Sequence, residues 1–302
     1  MIKMKKLCLM AGVLLLYTVK SQVIRYEYET RVNPDTVNLV NMKVEKTFLD
    51  VDSNHSLFAS ENFRKNDSLK AVFRKEWQAE NDSGKKSRKE KKKAEIPYHA
   101  ETSFPFYITK EKGQIFYHEN IFGKDIYYPE DRKIQWKILP EMKEVSGHKA
   151  QKAIADFAGR RWTAWFTEEI PAEDGPYKFS GLPGLIVRIQ DENGDYIFEL
   201  SAIKKLPAMY RFSSEGSVET SRTGFHSQKV SETMLAARDS KKISEMKQSA
   251  SSRKPPVGGM PPGGKNGPPD QAADMQQEQV PQNSAFFEQN TTIQNPIELK
   301  EK

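Results

Sequence analysis

GRRWTAWFTEEIPAEDGPYKFSGLPGLIVRIQDENGDYIFELSAIKK, residues 159–205, decides the fold class. Arg161–Thr167 is rich in Trp, Thr and Phe, residue types that suit a pleated, half-buried surface. Side chains alternate across a strand, so Trp162, Ala164 and Phe166 share one face and Thr163, Trp165 and Thr167 the other. Aromatics therefore stand on both faces. Either a loop or helix covers the second face, or Trp165 lines an apolar groove. Pro171 supplies no ladder donor and ends the strand at Ile170. Glu173–Pro176 is a turn by composition, and Gly181-Leu182-Pro183-Gly184 is a rigid apolar turn feeding the next strand. No Lys-Ser or Lys-Thr follows these glycines, which excludes a phosphate-cradling loop.

Leu185–Gln190 and Tyr196–Ile203 form a hairpin around Asn193-Gly194, a pair suited to a type I′ turn. Asp191, Asn193 and Asp195 imitate the opening of a calcium loop. Tyr196 stands where that loop needs glycine and no glutamate closes it, so a solvated turn is expected.

The order Trp162-x-x-Trp165-Phe166-Thr167, Ile170-Pro171, Gly175-Pro176 and the hexapeptide Gly181–Ile186 resembles the GLPGLI family of exported bacterial proteins. Asn295-Pro296-Ile297-Glu298 is similar to that family's close. The resemblance implies export from a Bacteroidetes-type bacterium and an unknown biochemical role. It brings no catalytic or binding residues. The family pattern often has a cysteine before the Trp strand; Gly147–Ala153 has none, so any disulfide there is lost.

Met1–Ser21 reads as a signal peptide, with Lys3, Lys5 and Lys6 ahead of the apolar run Leu7–Leu16, which is too short to span a bilayer. Its removal takes away Cys8, the one cysteine, and with it any disulfide, thiolate nucleophile or Cys-ligated zinc. The chain carries 47 basic and 41 acidic residues. Four of the lysines sit in the leader, so the remainder is nearly balanced and its charge does not point to nucleic acid.

The expected fold is α+β: a mainly antiparallel, curved, half-barrel-like sheet with one or two helices and long disordered segments. Residues 22–250 form one folded domain, 251–284 a disordered Pro/Gly/Gln-rich segment that buries too little to offset its ordering, and 285–302 a tail or returning strand. Strand patterns recur at Val23–Thr30, Val44–Val51, Thr102–Thr109, Gln114–His118, Ile126–Tyr128, Lys133–Leu139 and Gly147–Ala158, close enough in sequence for an antiparallel meander. Asp52–Ser56 reads as a turn. Leu69, Val72, Phe73 and Trp77 predict a helix over Asp67–Glu80, and Val230–Gln248 predicts a second.

Two candidate surfaces emerge. Trp162, Trp165, Phe166, Leu182, Pro183 and Leu185 are the candidates for a groove taking an acyl chain or an extended peptide. The basic insertion 84–94, with Lys85, Lys86, Arg88, Lys89, Lys91, Lys92 and Lys93, is the candidate for polyanion contact. The first reading is a non-catalytic binding or carrier module of the cell envelope. The second is a periplasmic or outer-membrane interaction factor, and an exported hydrolase comes third. The five histidines form no metal-binding motif, Ser180 sits in no nucleophile elbow, and Glu130, Asp131 and Arg132 read as loop charges. No cofactor, metal, nucleic acid or membrane span is expected; a lipid or an envelope protein is the expected partner, in the periplasm, at the outer membrane or outside the cell.

Overall fold

The computed structural model describes residues 22–35, 42–82, 100–214, 216–251 and 295–299. The leader, the lysine run and nearly all of the Pro/Gly/Gln-rich segment lie outside the described residues. Twelve strands form one sheet: β1 Val23–Val32, β2 Lys43–Val51, β3 His55–Ser60, β4 Phe106–Glu111, β5 Gln114–Ile121, β6 Lys124–Pro129, β7 Lys137–Val145, β8 His148–Phe157, β9 Arg160–Thr167, β10 Leu185–Asp191, β11 Tyr196–Leu206 and β12 Val218–Glu219. Their spatial order is β12-β6-β5-β4-β3-β2-β1-β11-β10-β9-β8-β7. All pairings are antiparallel except the short β12–β6 contact. The mainly antiparallel α+β class read from the sequence is thus the class found.

Tight turns set the meander. Lys112-Gly113, Phe122-Gly123, Ser146-Gly147 and Ala158-Gly159 each place two successive residues at positive φ. This is the type I′ pattern, whose twist matches that of the flanking strands. Asn193-Gly194 behaves differently. Only Gly194 is at positive φ, and its amide bonds to the Asp191 carbonyl. The Asp191 carboxylate accepts from the Tyr196 amide at 2.8 Å, which holds open a wider loop than the expected two-residue turn.

β3 was not anticipated. His55 and Ser56 belong to it rather than to a turn, and Leu57, Phe58 and Ala59 are buried on both faces. The strand begins with polar residues because its first position is at the exposed end of the sheet.

The sheet rolls on itself. β6 and β8 are nine strand spacings apart, about 43 Å if flat. Yet the guanidinium of Arg132, three residues past β6, lies 4.8 Å from the ring centroid of Phe157 in β8. The concave side is filled by the chain's own rings. Phe58 meets Phe104, Tyr177 and Phe198 at 6.1–6.5 Å between centroids, mostly edge to face. Trp162 lies 4.6 Å from Phe179.

Two helices lie outside the strands. In α1, Glu61–Asp82, the Ser60 hydroxyl caps the amides of Asn62 and Phe63 at 3.1 and 3.2 Å. α1 packs on the convex side, where Phe63 meets Phe212 and Asp67 accepts from the Tyr210 hydroxyl. Leu69 and Val72, the predicted apolar stripe, are exposed. α2, Arg222–Ser251, starts eight residues earlier than expected because its anchor is Phe225, 1% exposed against Tyr117 and Tyr128.

Candidate functional site

The link between β9 and β10 enters the rolled sheet. Tyr177, Lys178 and Phe179 are each at most 1% exposed. Tyr177 is held at φ 54, a backbone state rare for a bulky residue. Lys110 of β4 fixes the link from beneath. Its ammonium donates to the Asp174 carboxylate and to the carbonyls of Gly175 and Phe179 at 2.9 and 3.0 Å. Gly184 closes the link against β9, where a Cβ would run into the Thr167 carbonyl.

Lys178 then reaches the far side of the roll. Its ammonium donates to the Tyr128 hydroxyl at 2.9 Å, to Glu130 at 2.6 Å and to Glu298 at 2.5 Å. The rings of Tyr117, Tyr128 and Tyr177 surround it at 5.0–5.4 Å. Arg132 bonds both carboxylates, Glu130 at 2.7 Å and Glu298 at 2.9 Å. Tyr177 donates to Glu298 as well.

Asn295–Leu299 is therefore seated in a built socket. At its other end Arg160, 5% exposed, pairs with Asp191 at 2.6 Å and Asp195 at 3.0 Å, and donates to the Asn295 side chain and the Pro296 carbonyl. Asn295 donates to the Asn33 carbonyl at 3.0 Å, and its own carbonyl accepts from the Tyr196 hydroxyl at 2.7 Å. The Leu299 amide bonds to the Ala158 carbonyl at 2.9 Å. Gly159 makes this approach possible, since a Cβ there would come within 2.9 Å of the Leu299 Cβ.

Burial alone would push the Glu298 carboxyl up. The Lys178 and Arg132 charges outweigh it and pull the group down to about 2. Burial likewise opposes the ionisation of Glu130, and hydrogen bonds from Arg132 and Lys178 hold its carboxyl below the usual range. Burial, seconded by the Glu298 charge, pushes the Tyr128 and Tyr177 hydroxyls up, so they remain neutral donors and acceptors. Two cations, Lys178 and Arg132, thus face two carboxylates, and the balance closes only when Glu298 is seated.

The groove candidates are placed as follows. Trp162, Phe166, Leu182 and Leu185 are at most 1% exposed and belong to the main core. Trp165 is 9% exposed on the opposite face, under the Lys143 ammonium at 4.0 Å from its ring. Pro183 alone is exposed. The structure brings the first four together as packing. A cleft of about 390 Å3 opens elsewhere, beside the socket, among Lys112, Gln114, Glu130, Asp131, Arg132 and Ile134. The seven polyanion candidates, Lys85, Lys86, Arg88, Lys89, Lys91, Lys92 and Lys93, lie outside the described residues. Among the described residues no acid, histidine and cysteine cluster suited to a metal ion occurs, and no helix is long and apolar enough to cross a membrane.

Sequence reasoning missed the charged residues of the socket. Asp191 and Asp195 are buried partners of Arg160 rather than a solvated turn, and the Glu130 side chain is 1% exposed rather than a loop charge. The only local signal was Lys178 flanked by Tyr177 and Phe179, a charge inside an aromatic pair.

No curated protein matches the chain. Two solved structures of PNGF-II, in C2 and P21 space groups, align with it at 13% and 14% identity with TM-scores of 0.47 and 0.46. Each alignment covers 70% of this chain, which spans about a third of theirs (33% and 34%). Residues 59–188, from the end of β3 into β10 and including the whole Tyr177-Lys178-Phe179 plug, match the model of a family described as "Protein of unknown function (Porph_ging)".

Proposed function

We propose that the protein is a non-catalytic binding module of the bacterial cell envelope, exported in the manner of the GLPGLI proteins. Its ligand is an extended polypeptide segment that carries a carboxylate, rather than an acyl chain. One observation carries this reading: Asn295–Leu299, an extended segment far away in sequence, is already held by side-chain and backbone hydrogen bonds in a socket whose central cation, Lys178, has no exposed surface. Main-chain bonds supply affinity in such recognition and placed side chains supply specificity. The aromatic rings that fill the concave side argue against an acyl chain there.

The test uses a fluorescent peptide of residues 291–302. In the wild-type chain the tethered segment competes at an effective concentration on the order of millimolar. Asn295→Ala with Glu298→Ala in the full chain weakens that competitor and leaves the socket unchanged. Saturable binding of the peptide to the double variant, much weaker binding to wild type, and none by a peptide with Glu298→Ala are the expected results. A folded double variant that ignores the wild-type peptide sinks the reading. Wild-type tryptophan emission should not shift on adding a fatty acid; a saturable shift would restore the acyl ligand.

A further inference from the structure

We infer that the socket also accepts the 295–299 segment of a second copy of this chain, giving a reciprocal dimer by segment exchange. The inference rests on the segment-binding reading above and names its partner.

Three observations support it. First, the socket is incomplete without a carboxylate from outside the rolled sheet. Lys178 and Arg132 are matched by Glu130 and Glu298, and only Glu298 comes from beyond the sheet and its linking turns. An unseated segment leaves a buried cation short of its partner, which is costly. A second copy supplies that carboxylate as well as the first does, since the donor is a five-residue segment making the same bonds from either chain.

Second, the path between α2 and the segment is long. α2 starts beside the socket, where Arg222 bonds Asp131 at 2.7 Å. It runs along β6 toward the far end, where Glu232 lies 3.8 Å from Lys124. It then continues to Ser251. Thirty residues of α-helix measure about 45 Å, so the chain must come back over roughly that distance to reach Asn295.

Third, residues 252–294 are ample for that return and for more. Their contour reaches about 150 Å at most. The segment is therefore not confined to its own socket, and symmetric exchange is a low-cost route to a dimer.

The decisive experiment deletes residues 255–290, leaving seven residues between Ser251 and Asn295. These reach about 28 Å, too little for the return path but no obstacle to a neighbour's socket. No described residue is touched. The shortened chain is expected to run at about twice the monomer mass by light scattering, with its sockets closed to the labelled 291–302 peptide. Full-length chain should show a minor dimer that grows with concentration. A shortened chain that stays monomeric and binds the peptide overturns the exchange and leaves segment binding standing. One that stays monomeric and ignores the peptide overturns both. Should the shortened chain not fold, tagged wild type is mixed with the full-length double variant Asn295→Ala, Glu298→Ala at a concentration on the order of the effective one. A one-to-one complex supports exchange; its absence overturns it.

Discussion

The ammonium of Lys178 lies 2.5 Å from the carboxylate of Glu298, joining positions 120 residues apart. Around this pair the rolled sheet, the β9–β10 link and the 295–299 segment meet. The pair makes a specific demand on pH. The Glu298 carboxyl sits at about 2 in the folded chain, below its usual value near 4.5, because Lys178 and Arg132 overcome the effect of burial. A depressed acid stabilises the fold fully above the unfolded value and loses that contribution as pH falls through the folded one. Stability should therefore decline between about pH 4.5 and 2. Glu298→Gln should flatten that part of the curve while lowering stability at pH 7. Urea midpoints for the two proteins from pH 2 to 7 check this; parallel curves would remove Glu298 from the account.

Lys178 itself is irreplaceable by an apolar residue of similar length. Lys178→Met leaves Glu130 and Glu298 buried beside one another with Arg132 as their main counterion. Removing one member of a buried ion pair costs about 3–5 kcal/mol. Lys178→Met with Glu130→Gln and Glu298→Gln removes the stranded charges too and should lose less. Chemical denaturation of the single and triple variants decides it: a triple variant no more stable than the single one would mean that packing, not charge, sets the cost.

The fold was far easier to read than the socket. Period-two alternation is local, so β1, β2, β8, β9 and β10 emerged within a few residues of their bounds, and glycine marked several turns. His55-Ser56 was misread because a strand that begins with polar residues looks like the loop before it. The charges failed for a different reason. A buried Asp195 and a solvated one have the same neighbours in sequence; what separates them is Arg160, 35 residues away, and Asn295, 100 residues away. Asn193-Gly194 was misassigned through the same gap, since the Asp191 carboxylate that reshapes its loop is held by Arg160.

His118 offers a second and separate acid response. Its ring stacks on Tyr107 at 4.3 Å with an interplanar angle of 6°, and burial lowers it to about 4. The imidazole is neutral in the folded chain, so its contribution is complete above the ordinary value near 6.5 and falls away as pH drops toward 4. In the Glu298→Gln background this should remain as a loss of stability between about pH 6.5 and 4. Ring-proton NMR should show no titration of His118 above pH 5; a midpoint near 6.5 would place the ring in water.

The hexapeptide turn makes the last prediction, through two glycines that differ in what surrounds them. Gly184 sits at φ 145 with the Thr167 carbonyl where a Cβ would go, while Gly194 sits at φ 71 with open space around it. Gly194→Ala should cost only the left-handed backbone strain of an L-residue, about 1–2 kcal/mol. Gly184→Ala adds a collision with backbone, which has no side-chain rotamer to relieve it. The strain is relieved only if β10 moves off β9. That displacement would drag the link carrying Tyr177, Lys178 and Phe179, so Gly184→Ala should also open the socket. The full-length Gly184→Ala chain should then bind the 291–302 peptide differently from wild type, while Gly194→Ala should bind it as wild type does. Equal stability losses with unchanged peptide binding in both would show that the turn holds β9 to β10 without setting the position of Lys178.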